Sequence, residues 1–278
     1  KHVKDTFEFN SDTKPDLVNF DGEKMLLCKK TDNHSTDEWV YMYNNAPLFL
    51  DRKEALDYFA KNIMPELKQG LKDPYYGLRV STIQKLGSSS FKTDEDVIKT
   101  IENLVKTDKD RNVKAAAIGF LAKISEEKYR PVFEAALQDS SYNVAGAALK
   151  GLVSLDKDKA YDLAVKYAND AKGNLGEEVF RILGDKGNDK DFDILLGYYN
   201  DMGLSQEKMS ASESMTKFMM KMNDLDKIKK GIDAIVEFRN QVPGQFREFV
   251  SNSLKRNIDK VAKAKGQEIA DYVEKVWK

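Results

Sequence analysis

The sequence predicts a mainly α fold, an α-α superhelix (solenoid) of paired helices, preceded by a short β-strand segment. Three observations carry this. The 278 residues hold only 16 Gly and 6 Pro but are one-third charged, a balance that suits long amphipathic helices. One apolar pattern returns four times along the chain at intervals of 35, 31 and 31 residues. Residues 1–35 follow a different rule, with apolar residues alternating rather than recurring every three or four.

The N-terminal part comes first. Thr6-Phe7-Glu8-Phe9 alternates polar and apolar, Leu17-Val18-Asn19-Phe20 leads into Asp21-Gly22, and Lys24-Met25-Leu26-Leu27-Cys28 follows. This predicts two or three short strands with a hairpin-type turn at Asp21-Gly22. Two strands alone are marginal in water, so a partner sheet is expected upstream. Residues 36–55 read as a junction. Ser35-Thr36-Asp37 caps a short helix over Glu38–Asn44, and Pro47 stops it. From Asp51 the period is helical. Leu56, Phe59, Ile63 and Leu67 share a face, with Pro65 expected to bend or break the helix.

The repeat follows. With Asp73, Asp108, Asp139 and Asp170 aligned, Leu78, Val113, Val144 and Leu175 come five residues later. Ile83, Ile118, Leu149 and Phe180 come at ten, and Leu86, Leu121, Leu152 and Leu183 at thirteen. At 3.6 residues per turn these offsets fall on one broad helix face. The four aspartates sit just ahead of the helices and are expected to cap them. Ala115, Ala116, Ala117, Ala145, Ala147 and Ala148 permit close approach of neighbouring helices. Val97–Val105, Tyr129–Leu137 and Tyr161–Tyr167 supply a preceding helix for three of the units. Pairs of this length stack as a solenoid, each burying its stripe against its neighbours. After Asp189 the regularity fades. Phe192–Tyr199, Ile228–Phe238, Phe246–Ala264 and Glu268–Trp277 remain as helices, broken by Pro243-Gly244 and Gly266. Met215, Met219 and Met222 fall on one face, either as irregular core filling or as an adaptable peptide-contact surface.

The chemistry of catalysis is sparse. With 45 basic and 46 acidic residues there is no general attraction to nucleic acid. Residues 216–278 carry 14 basic against 9 acidic residues, too diffuse to imply a nucleic-acid site. No apolar run approaches the ~20 residues of a membrane span. The histidines are His2 and His34 alone, read as surface and loop residues. Neither HExxH nor a phosphate-cradling glycine motif occurs. Cys28, the one cysteine, is expected to be a buried or half-buried thiol in a strand. Gly87-Ser88-Ser89-Ser90 reads as a helix C-cap and loop. The chain opens on Lys1 in strand-like sequence and is therefore read as a piece of a longer protein. No enzyme is expected in this chain alone, and no metal or cofactor site.

The stretch YNNAPLFLDRKEALDYFAKN, Tyr43 to Asn62, carries a resemblance. It resembles the passage from β-sandwich to C-terminal helical domain in zinc aminopeptidases of the aminopeptidase N type. Phe20-Asp21-Gly22 is similar to the closing strands of that sandwich, and the repeat resembles the HEAT-like helices that follow. The resemblance implies residues 1–35 as a β-sandwich remnant, 36–55 as junction and 56–278 as a HEAT-like α-solenoid. It implies a non-catalytic role: enclosing the active-site cavity and contributing to peptide access and binding. The partners would be the catalytic domain of the same parent chain and the peptide substrate. Zinc would lie in that missing catalytic domain. Arg239 and Arg247 are the candidates for a peptide carboxylate, since a guanidinium pairs with carboxylate as a fixed fork. The family likeness points to a bacterial periplasmic or otherwise extracytoplasmic setting, with cytoplasm as the alternative. A free-standing HEAT-like scaffold for protein partners is the competing function.

Overall fold

The computed structural model describes residues 6–169 and 171–278. The chain divides into two compact units, Lys1–Phe120 and Leu121–Lys278. The described residues are mainly helical and contain no strand.

In the first unit, α1 (Thr36–Asn45) opens on a capping box. Ser35 accepts from the Glu38 amide while Glu38 accepts from the Ser35 amide. The helix ends ahead of Pro47, as expected. α2 (Phe49–Lys61) follows, then a 3-10 turn over Pro65–Lys72 with the proline at its first position, where its missing N–H is harmless. Ile63 lies between them at φ 53 and is exposed, unlike Leu56, Phe59 and Leu67. The helical face therefore stops with α2 rather than running through Ile63. α3 (Tyr76–Leu86), α4 (Glu95–Thr107) and α5 (Arg111–Ile124) complete the described helices that begin in this unit. Asp94 caps α4 through the amides of Asp96 and Val97.

The second unit holds α6 (Arg130–Ala136), α7 (Tyr142–Leu155), α8 (Ala160–Tyr167), α9 (Gly173–Lys186), α10 (Phe192–Asp201), α11 (Gln206–Met219), α12 (Leu225–Gln241), α13 (Gly244–Lys265) and α14 (Gln267–Val276). Two runs of packing organise it. α7, α9, α11 and α13 pack each against the next, and α10, α12 and α14 do the same. Adjacent helices α6/α7, α8/α9, α10/α11 and α12/α13 pack as pairs. Helical pairing thus continues past Asp189, where the sequence period fades.

All twelve aligned apolar positions are buried, from Leu78, Ile83 and Leu86 in α3 to Leu175, Phe180 and Leu183 in α9. Of the small residues, Ala117, Ala145 and Ala148 are buried and Ala115, Ala116 and Ala147 half-buried, and the close approach to a neighbouring backbone falls at Gly146. A Cβ there would stand 2.6 Å from the Asn174 carbonyl carbon and 2.8 Å from the Leu175 nitrogen, in the first turn of α9. Backbone cannot yield as a flexible side chain does. Gly146→Ala is expected to destabilise the protein by about 1–3 kcal/mol, the usual range for overpacking, measured by urea unfolding. Gly266 ends α13 at φ 90, which only glycine adopts freely. Asp224 caps α12 through the amides of Asp226 and Lys227. Asp224→Ala is expected to lower the unfolding free energy by about 1 kcal/mol, read from the same urea curves.

Residues 6–35 differ from the sequence expectation. The predicted strands are absent: the segment runs as turns and extended loops. The Asp21-Gly22 turn does form, with the Lys24 amide donating to the Asp21 carbonyl at 2.9 Å. The Asp21 carboxylate then takes the amides of Met25 (2.9 Å) and Leu26 (3.0 Å), the groups a returning strand would have used in a ladder. Cys28 is exposed rather than buried, because the strand meant to cover it does not form.

Candidate functional site

Asp73, Asp108 and Asp139 lie two residues ahead of the helix caps. Asp73 accepts from the Tyr75 amide at 2.8 Å, Asp108 from that of Asp110 at 2.8 Å, and Asp139 from that of Ser141 at 2.8 Å. Each closes an Asx turn between two helices, and the cap position belongs to the later residue. Asp110, for example, bonds the Asn112 and Val113 amides of α5. Two of these aspartates also bind an arginine from an earlier helix, Arg52 of α2 and Arg79 of α3. Arg52 donates Nε to Asp73 at 2.9 Å and Nη2 at 3.3 Å, with Tyr43 adding its hydroxyl. Arg79 grips Asp108 with Nε at 2.9 Å and Nη2 at 3.0 Å, and donates Nη1 to the Asp73 carbonyl at 2.8 Å. The forks tie successive turns together. Burial alone would raise the Asp108 carboxyl; the Arg79 fork and the Asp110 amide outweigh it and hold it below the usual carboxylate range. Asp170 lies outside the described residues, as does His2.

Arg239 and Arg247 come together at the α12–α13 turn. Arg239 is buried. It donates Nη1 to the Trp277 carbonyl at 2.7 Å, bonds the Asn240 side chain, and lies 4.5 Å from the centre of the Trp277 ring. Desolvation and the nearby Arg247 lower its pKa. Arg247 donates to the carbonyls of Val242 (3.1 Å) and Asn240 (3.2 Å) and is exposed. Arg239 thus ties the end of α12 to the chain beyond α14, while Arg247 closes the α12–α13 turn. Met215, Met219 and Met222 are wholly buried, which makes them core. Ser89 caps the short 3-10 turn over Ser90–Thr93, in keeping with a loop. Among the described residues, no three His, Cys, Asp or Glu side chains come together as a metal site.

Two surface features were not legible in the sequence. The first is a cleft of about 700 Å³ in the second unit, with Glu177, Asp193, Asp201, Glu207, Lys172 and Tyr198 among its lining. The second is residues 6–35, which are inside out. Phe7, Phe9, Val18, Phe20, Met25, Leu26 and Leu27 are each more than half exposed. The polar side chains turn inward instead. Lys24 reaches Asp51 at 2.6 Å and Glu54 at 3.4 Å, Lys30 reaches Glu54 at 3.3 Å and Asp32 at 2.8 Å, and Asn19 donates to Asp51 at 3.0 Å. His34 sits edge-on to Trp39, which stacks on Tyr58. Apolar side chains scattered singly on a surface are ordinary; seven exposed in one segment of 30 residues are not.

The geometry defines a helical repeat protein, and comparison with protein families agrees. Residues 64–144 match the family model for HEAT repeats. No curated protein matches the chain.

Proposed function

We propose that this chain is the non-catalytic helical scaffold of a larger zinc aminopeptidase, docked on its catalytic part through residues 6–35 and bounding the cavity that peptides enter. The observation that supports this most is the outward apolar row from Phe7 to Leu27. Exposed apolar area of this kind is stable in water only when another surface covers it. The alternating pattern of Thr6 to Phe9 suits addition to a sheet, and the likeness of residues 43–62 to the aminopeptidase junction names the kind of domain that would carry one. In this reading zinc and the peptide-cleaving groups belong to the catalytic part. The present chain contributes the scaffold and the bounding surface. Arg247 keeps a peptide-contact role, and Arg239 drops out because its guanidinium is occupied by Trp277 and Asn240.

The test joins the parent gene to biochemistry. The parent protein should carry HExxH with a downstream glutamate and hydrolyse aminoacyl substrates with zinc. Phe20→Asp/Leu27→Asp should loosen the two parts and lower that turnover. A parent without a zinc motif ends the reading. The second reading, a free-standing scaffold for a separate protein partner, draws on the match of residues 64–144 to HEAT repeats. It would be favoured by a parent lacking the motif whose apolar segment still captures a defined partner.

A further inference from the structure

We propose that residues 17–34 form a releasable strap, clipped onto α2 by the ion pair between Lys24 and Asp51. Three independent observations place the weak seam here. First, the strap's fastenings to α2 are polar: Asn19 and Lys24 to Asp51, and Lys24 and Lys30 to Glu54. None of its residues is buried, and Val18, Phe20, Met25, Leu26 and Leu27 point to solvent, so little apolar contact resists its departure.

Second, the seam is under-satisfied. Asn19 Oδ1, Asp51 Oδ2 and His34 Nε2 are buried without a hydrogen-bond partner. The chain itself therefore does not close the polar seam, and water can serve all three once the strap lifts. Third, the backbone of the strap is strained at its turn. Asp21 stands at φ 51 and Lys24 at φ 55, the left-handed region that side chains other than glycine seldom adopt.

Against these stands one strong fastening. Asp51 is 0% exposed and its charge is answered by the Lys24 ammonium. A buried carboxylate that loses its counter-charge is strongly destabilising, whereas replacing both partners by apolar side chains is tolerated. The clip is therefore all-or-none: the strap stays down while the pair holds and lifts when it does not. Lifting uncovers Asp51 and the adjoining face of α2. The strap stands whether or not its outer face docks on a peptidase.

A nitroxide spin label on Cys28, which is exposed and lies within the strap, tests this in the whole chain. In Lys24→Met, the label's rotational correlation time should fall at least about threefold, with amide exchange in α1 to α3 unchanged. In Lys24→Met/Asp51→Leu, the slow motion of the label should return. Unchanged label motion in the single variant overturns the proposal. So does faster amide exchange spread through α1 to α3, which would make the segment an integral part of the unit. A double variant whose label is as mobile as in the single one overturns it too, since the charge pair would then not be the clip.

Discussion

Leu86→Ala and Leu152→Ala are each expected to lower the unfolding free energy by about 2–5 kcal/mol. Both leucines occupy the last position of the repeat pattern, one in α3 and one in α7, and both are buried. Truncation removes three methyl or methine carbons from water-free packing and leaves a cavity that rigid helices fill only partly. Leu152 lies in the helix that packs on both α6 and α9. That double engagement limits relaxation, so its loss belongs in the upper part of the range. Urea unfolding followed by circular dichroism measures both. A loss under ~1 kcal/mol at both positions would mean that the twelve-position register does not carry the core.

Arg79→Met is expected to be comparably severe, about 3 kcal/mol or more. The Asp108 side chain is only 6% exposed, and Arg79 supplies both its ion-pair nitrogens. Removing the guanidinium leaves a nearly buried carboxylate with an amide alone, and strands the Asp73 carbonyl that Nη1 had served. The same fork predicts an acid response. Because the folded carboxyl lies below its ordinary value, its contribution is present above about pH 4 and is lost as pH falls through the folded pKa. In Arg79→Met that part of the acid destabilisation should disappear from the stability–pH curve. Asp108→Asn keeps the turn acceptor and should lose the pH dependence with a smaller drop at neutral pH. A pH curve for Arg79→Met parallel to that of the unaltered protein would refute the account.

The order of the helices was largely legible. Ser35, Pro47, Pro243 and Gly266 act at element ends through a cap bond or backbone geometry within a few residues, so they can be read one at a time. The roles of particular polar residues were not. Asp73, Asp108 and Asp139 sit two residues ahead of the caps, and the first two are gripped by an arginine 21 and 29 positions earlier in the chain, Arg52 and Arg79. Arg239 looked like a free fork until Trp277 came to meet it. The strand expectation for residues 1–35 failed for a similar reason. A period of two describes a face, and a face becomes a strand only when another strand is there to bond it.

Sequence by itself determined most of the helices and which side chains of the repeat go inside, because both follow from periodicity within one turn or two of helix. Tertiary structure alone decided that pairing persists through α10 to α13, that Gly146 sits on the backbone of α9, and that Lys24 and Lys30 turn inward while Phe20 and Leu27 face water. These outcomes depend on residues tens of positions apart, and a side chain's partner across that distance is set by packing, which no local pattern encodes.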